Sequence, residues 1–199
     1  MQTADLPVIG SPLEGGFYAG KIRVGEEIFA IIAAPKAEGE HAAIAWGERG
    51  KDIPEARSFA DGRSNTLALL VAKSPVAEWV HQLQINGFTD WYLPSRDELE
   101  IIYRNLKPTD EENYTYRHGE NVSAVPPTYA YTEELPTQTG VEIFKADGDE
   151  AFDDTVYWSS TQYSADSAWY QGFDDGFQSN LDKGNEFRAR AVRRLLVIQ

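Results

Sequence analysis

Cysteine is absent from the 199 residues, and only three histidines and one methionine occur. Without cysteine the chain forms no disulfide, carries no thiol nucleophile and offers no thiolate ligand for zinc or an iron–sulfur cluster. Stability therefore has to come from packing, and a chain of this length with 42% hydrophobic residues can bury one sizeable core. We predict a single domain spanning residues 1–199.

Long apolar runs and basic residues are also scarce. No run of about eighteen apolar residues occurs, and the start MQTADLPVIGSPLEGG lacks the parts of a secretory signal, so we expect no membrane insertion and synthesis in the cytoplasm. The 18 basic residues face 32 acidic ones, and a net charge of -14 argues against nucleic acid as a partner.

The acidic residues concentrate in one stretch. Residues 109–154 hold twelve acids and two bases, together with prolines at 126, 127 and 136 and no regular hydrophobic period. We predict an irregular, solvated acidic insertion at about 109–155, of a length that is usually functional or partly disordered. Its tyrosines at 114, 116, 129 and 131 argue for partial order.

The remaining segments predict helices and strands of an α+β protein with a mixed or antiparallel sheet. Strands are expected at 17–24 and 27–34, as a hairpin around Gly25, and later in TVYWSST, SAWYQGF and EFRARAVRRLLVI. Leu67, Leu70 and Val71 have helical spacing and predict a buried face, with Pro75 opening a second helix. Ser95 and Glu98 predict a capping box for a helix over 96–106.

Catalytic signatures are weak. The serine-hydrolase pattern G-x-S-x-G does not occur, and His41, His81 and His118 are far apart in the sequence. DGDEAFDD departs from a calcium-binding loop, and the turn with Asp174, Asp175, Asn180 and Asp182 is a minor calcium candidate. Acid pairs for glycoside hydrolysis are too many to choose from without geometry. We predict no enzyme, no cofactor and no metal site.

The stretch YWSSTQYSADSAWYQGFDDGFQSN is rich in aromatic, hydroxyl and amide side chains, a composition typical of adaptable binding surfaces. Strand alternation assigns Trp158, Trp169 and Phe173 to the core. Residues in or near the turns are the predicted ligand-binding set: Tyr163, Tyr170, Asp174, Asp175, Phe177, Gln178 and Asn180.

Three segments, GFTDWYLPSRDELEIIYRNL, YWSSTQYSADSAWYQGFDDG and RARAVRRL, resemble the signature segments of the Lcl C-terminal-domain family. The resemblance implies a variant of the C-type-lectin-like fold, found at the end of bacterial collagen-like adhesins and in stand-alone tailed-phage proteins. The sequence lacks the EPN or WND tripeptides of calcium-dependent lectins and the cysteines of formylglycine-generating enzymes.

The same resemblance implies scaffold roles for Trp91, Glu98, Trp158 and Arg190, and we assign Trp169 a structural role as well. If Arg190 is buried it needs an acidic partner, for which Glu98 or Asp97 is the predicted candidate.

These observations predict a non-enzymatic phage or prophage virion protein, tail or tail-fibre associated, that contacts a host cell-surface protein or glycan through turn-rich aromatic loops. The alternative is a structural subunit of the tail or capsid whose acidic insertion contacts a neighbour. Expected partners are other virion proteins, with a possible homo-oligomer, and the expected location is the virion, after synthesis in the bacterial host cytoplasm.

Overall fold

Two β-sheets and a few helices make up the computed structural model, which describes residues 6–116 and 118–198 and shows the α+β class predicted from the sequence. The strands are β1 Pro12–Leu13, β2 Gly16–Val24, β3 Glu27–Ala33, β4 Glu40–Ala45, β5 Val156–Gln162, β6 Ser167–Gly172, β7 Gln178–Asp182, β8 Glu186–Arg190 and β9 Val192–Leu196. The helices are α1 Lys36–Gly39, α2 Gly62–Val71, α3 Pro75–His81 and α4 Arg96–Leu106, with short 3-10 turns at Pro54–Ala56 and Glu142–Phe144.

The first sheet has the antiparallel order β1-β2-β3-β9. Its β2–β3 hairpin lies where the sequence predicts one, and Gly25 adopts the positive φ of 60° that the tight turn requires. Strand β9 pairs with β3, with Val192 opposite Ala33. The beginning and the end of the described chain therefore share one sheet.

The second sheet has the order β4-β8-β5-β6-β7, in which only the β5–β8 pair is parallel. Strands β5 and β6 confirm two of the predicted strands. The single strand predicted over 186–198 is wrong, because Ala191 divides it between the two sheets. The Ala191 N–H donates to the Gly39 carbonyl at 2.8 Å, and its carbonyl accepts from the Ala34 N–H at 3.0 Å.

Helix α4 has the predicted capping box. The Ser95 hydroxyl accepts from the Glu98 N–H at 3.3 Å, and the Glu98 carboxylate accepts from the Ser95 N–H at 2.8 Å. The buried side of α4 packs against β2 and joins the larger hydrophobic core through Leu99, Ile102 and Tyr103.

The two-helix segment confirms the break at Pro75, but the predicted buried face of α2 is wrong. Leu67 and Val71 are 56% and 87% exposed, whereas Leu69 is fully buried. Close packing sets this rotation, because a side chain at Gly62 would meet the Glu98 carboxylate at 2.3 Å. Asn65 also faces inward, where its side chain donates to the Ser58 carbonyl at 2.7 Å.

The acidic insertion is irregular, as the sequence predicts, but it is not solvated throughout. Tyr131, Phe144 and Phe152 lie in the same core as Tyr103 and Phe173. Most of the acids remain at the surface, including Glu111, Glu112, Glu133, Glu134 and Asp149. A few isolated aromatic residues thus anchor the segment, which agrees with the partial order that its aromatic content predicts. Within residues 6–116 and 118–198, none of the helices is both long and apolar enough to cross a membrane.

Candidate functional site

A group of partly exposed aromatic side chains surrounds one arginine beside the β6–β7 edge of the second sheet. We call Phe59, Arg96, Tyr163 and Trp169 the Arg96 platform. Phe59 and Tyr163 are 44% and 53% exposed, and Trp169 is half-buried. The four side chains come from three places: the loop before α2, the first position of α4, and the β5–β6 hairpin.

The arginine lies against two of the rings. Its guanidinium carbon is 4.4 Å from the centre of the Phe59 ring and 5.0 Å from that of Trp169. Trp169 also meets the rings of Phe59 and Tyr163 edge to face, at 6.0 Å and 5.4 Å between ring centres. Cation–π and edge-to-face contacts of this kind fix the relative positions of the side chains.

Buried hydrogen bonds hold the platform from below. Gln178 accepts from Nε of Arg96 at 3.1 Å and donates to the Arg96 carbonyl at 3.0 Å. The Arg96 N–H donates to the Thr161 hydroxyl, and that hydroxyl donates to the Ser58 carbonyl at 2.9 Å. Because every element that carries the platform is tied to its neighbour, the surface is preorganised.

A second aromatic group lies beside the platform, and we call Tyr114, His118, Tyr170 and Phe177 the Phe177 cluster. The Phe177 ring is 4.8 Å from Tyr114 and 5.1 Å from His118. Burial lowers the pKa of His118, and the charge of Arg96 lowers it further. The insertion thereby reaches the β6–β7 turn next to the platform.

The two aspartates of the β6–β7 turn have local roles. Asp175 accepts from the Phe177 N–H at 2.9 Å, and its carbonyl accepts from the Tyr114 N–H at 2.8 Å. Burial raises the pKa of Asp175, and the neighbouring charge of Asp174 raises it as well. In the part of the chain that the structure describes, no three His, Asp or Glu side chains are grouped to hold a metal ion.

The predicted ligand-binding residues fall into two groups. Tyr163 belongs to the platform, Gln178 lies buried beneath it, and Asn180 is paired with Trp169 across β6 and β7. The others lie at the neighbouring cluster: Tyr170 and Phe177 belong to the Phe177 cluster, with Asp174 and Asp175 in the adjoining turn.

Three platform residues were missed as contact residues. Trp169 was assigned to the core, but it is half-buried at the surface, while Trp158 and Phe173 are fully buried as predicted. Arg96 had a detectable signal, because a cation at the first position of a helix faces the positive end of the helix dipole. Phe59 lies in a short loop that shows no comparable signal.

The partner predicted for Arg190 is wrong. Arg190 is 1% exposed, and its guanidinium donates to the Glu150 carboxylate at 2.5 Å and to the Ala34 carbonyl at 2.9 Å. Glu40 lies 3.9 Å away as a second acid. The pairing with Glu98 or Asp97 fails because α4 packs mainly against β2, β5 and β6, whereas Arg190, at the end of β8, faces Glu150 of the insertion.

Glu98 is instead the buried centre of a hydrogen-bond network at the start of α4. Its carboxylate accepts from the Tyr92 hydroxyl at 2.7 Å and from the N–H groups of Ser95 and Gly62 at 2.8 and 3.2 Å. Burial raises the pKa of Glu98 to about 6, against the opposing effect of these donors. Trp91, another predicted scaffold residue, is buried and donates to the Phe88 carbonyl.

Comparisons with known proteins place the chain in a family. A search of curated proteins finds no match. Among solved structures, a fimbrial protein from Bacteroides ovatus ATCC 8483 is similar, with 12% identity and a TM-score of 0.45. That alignment covers 82% of this chain but only 35% of the fimbrial chain. The family model of the Lcl C-terminal domain matches residues 42–193, and the chain therefore belongs to the Lcl C-terminal-domain family.

Proposed function

We propose that this chain is a non-enzymatic virion protein of a tailed phage or prophage, attached to the tail or tail fibre, that contacts the host surface through the Arg96 platform. The observation that carries the proposal is a preorganised set of exposed aromatic side chains around Arg96, in a protein whose own charge is strongly negative. Exposed aromatic and arginine side chains are the residues that most often dominate binding at surfaces.

The proposal includes a C-type-lectin-like fold. Its support is the scaffold, in which the early β2–β3 hairpin and the last strand share a sheet, and the long segments between them carry the exposed aromatic residues. Loops on such a scaffold can vary in sequence without unfolding it, which suits recognition of a changing host surface.

The non-enzymatic part of the proposal is supported by where the histidines lie. His41 packs edge-on against Trp79, His81 is exposed at the end of α3, and His118 belongs to the Phe177 cluster. The three histidines thus come from three different elements: β4, α3 and the insertion.

A second candidate function is a structural subunit of the tail or capsid. It is favoured by large apolar side chains exposed away from the platform, namely Val71 on α2 and Val122 and Tyr129 in the insertion, which are 87%, 83% and 86% exposed. Such residues are suited to contact with a neighbouring subunit.

Immunogold labelling of intact particles, induced from the strain that encodes the chain, tests both functions. Label at the distal tail is expected for host contact, and label along the tail or on the capsid supports the structural subunit. Particles that lack the protein by mass spectrometry would overturn both.

Adsorption of the purified protein to host cells then tests the site itself. Tyr163→Ala should reduce adsorption, whereas Tyr129→Ala, which removes an even more exposed tyrosine outside the platform, should not. Equal adsorption of both variants and the unchanged protein would remove the platform from the proposal.

A further inference from the structure

We infer that the Arg96 platform takes an uncharged glycan, bound as a pyranose ring against its aromatic side chains without a metal ion. This inference rests on the proposed function, since it names the chemical class of the host surface that the platform contacts.

The aromatic rings of the platform match the chemistry of one face of a sugar ring. A pyranose has an apolar face of C–H groups, whose slight positive charge is attracted to the negative face of an aromatic ring. The platform offers Tyr163, Phe59 and Trp169, with partly exposed rings set nearly perpendicular to one another at 82° and 83° to Trp169. A pyranose ring that binds beside Trp169 can therefore contact aromatic rings on more than one of its sides.

Hydrogen-bonding groups border these rings, as the hydroxyls of a sugar require. Of the guanidinium nitrogens of Arg96, Nε donates to Gln178, and the four N–H groups on the two Nη atoms donate to no other residue that the structure describes. Asn180 lies beside Trp169 in the sheet and supplies both a donor and an acceptor. Apolar rings with a few fixed polar groups are typical of small-ligand sites.

Charge decides between neutral and anionic glycans. Arg96 is the single cation of the platform, and the Asp97 carboxylate lies 3.9 Å from its Nε. Asp166 follows Tyr163 in the same hairpin turn, where it pairs with Arg49 at 3.4 Å, and the net charge of the chain is -14. A polyanionic glycan would be repelled by this field, whereas an uncharged one is not.

The size of the platform favours a glycan over a protein partner. A stable protein interface buries about 800 Å² on each side and is centred on a larger apolar patch. Three aromatic side chains grouped around one arginine are instead sufficient for one or two sugar rings.

Titration with defined oligosaccharides tests the inference. The probes are β-1,4-linked hexasaccharides of glucose and of N-acetylglucosamine, an α-1,4-linked glucose hexasaccharide, and a heparin hexasaccharide as the anionic comparison, followed by calorimetry and by tryptophan fluorescence. We expect at least one neutral probe to bind, with the affinity unchanged by EDTA. Tyr163→Ala and Arg96→Lys should each lower that affinity about tenfold, and Tyr129→Ala should leave it unchanged.

Several results would overturn the inference. Preference for the heparin probe, loss of binding in EDTA, or neutral binding that the platform variants leave unaltered would each do so. The cell-adsorption experiment distinguishes failure of this inference from failure of the proposed function. If cells adsorb the protein through Tyr163 but no neutral probe binds or competes, the partner is a protein and only the glycan inference fails. If cells do not adsorb the protein either, host contact itself is wrong.

Discussion

Arg190 and Glu150 form a buried ion pair in which Nη2 of the arginine lies 2.5 Å from Oε2 of the glutamate, although 40 residues separate them in the chain. Arg190 belongs to β8, and Glu150 belongs to the acidic insertion. The guanidinium also stacks over the Phe152 ring at 4.5 Å and donates to the Ala34 carbonyl. One side chain thus joins the second sheet, the insertion and the end of β3.

Replacing Arg190 by methionine should destabilise the protein strongly. The change leaves the buried carboxylate of Glu40 and the partly buried one of Glu150 without their shared cation, and breaking a buried pair in this way costs about 3–5 kcal/mol. Urea unfolding gives the free energy. Arg49→Met is the matched control, because the Arg49 side chain is 70% exposed and its ion pairs should contribute less than about 1 kcal/mol. Equal midpoints for the two variants would contradict the buried pair.

Glu98 should make stability depend on pH. Its pKa is about 6 in the folded protein against an ordinary value of 4.5, so the folded state binds more protons than the unfolded state between these values. Stability must therefore decrease as the pH rises from 4.5 through 6. A shift of this size corresponds to about 2 kcal/mol.

Glu98→Gln removes this titration, so the comparison isolates it from all other groups. The free energy of unfolding of the unchanged protein, minus that of Glu98→Gln, should be about 2 kcal/mol larger at pH 4 than at pH 8. Denaturant unfolding at both values measures it. A difference that stays constant with pH would show that Glu98 titrates normally.

Lys183 should produce the opposite dependence at alkaline pH. It is fully buried, with Nζ 2.7 Å from Oε1 of Gln162, and burial lowers its pKa to about 8 from 10.5. The folded state therefore binds fewer protons between pH 8 and 10.5, and stability increases with pH across this window. The unchanged protein should gain stability relative to Lys183→Met between pH 7 and pH 10. No gain would mean that the buried amine remains charged.

The sequence predicts those parts of the fold that local chemistry determines. The capping box of α4, the turn at Gly25 and the break at Pro75 each depend on neighbouring residues, and each is present. The division at Ala191 was not predictable in this way, because both halves of RARAVRRLLV have strand character. What separates them is the pairing of Arg190 with Glu40 in one sheet and of Val192 with Ala33 in the other.

The site was only partly predictable for a related reason. Tyr163, Gln178 and Asn180 come from the stretch that the composition identified, but Phe59 and Arg96 reach the platform from segments about 70 to 100 residues earlier. Trp169 is wrongly assigned to the core because strand alternation predicts on which face of the sheet a side chain lies, but not whether other residues cover that face. At this edge of the sheet, Arg96 of α4 lies over the Trp169 ring and leaves it half-buried.

The rotation of α2 can be tested by two alanine variants. Val71→Ala should change the free energy of unfolding by less than about 0.5 kcal/mol, because the side chain is 87% exposed. Leu69→Ala, two residues earlier and fully buried, should cost about 2–5 kcal/mol. Chemical unfolding of both variants decides the matter. The reverse order would restore the face predicted from the sequence.

The insertion should behave as part of the core rather than as a surface loop. Phe152 is 2% exposed and stacks on Phe173 with 4.2 Å between ring centres and 13° between planes. Phe152→Ala removes this contact and leaves a cavity beneath Arg190, which should cost about 3–5 kcal/mol. Tyr129→Ala, in the same insertion but 86% exposed, should be near neutral. Thermal and urea unfolding would measure both, and limited proteolysis should cut within 109–155 much faster in Phe152→Ala. If both variants keep the stability of the unchanged protein, the segment is an independent loop, and its position beside the Arg96 platform would have to come from contacts at the Phe177 cluster alone.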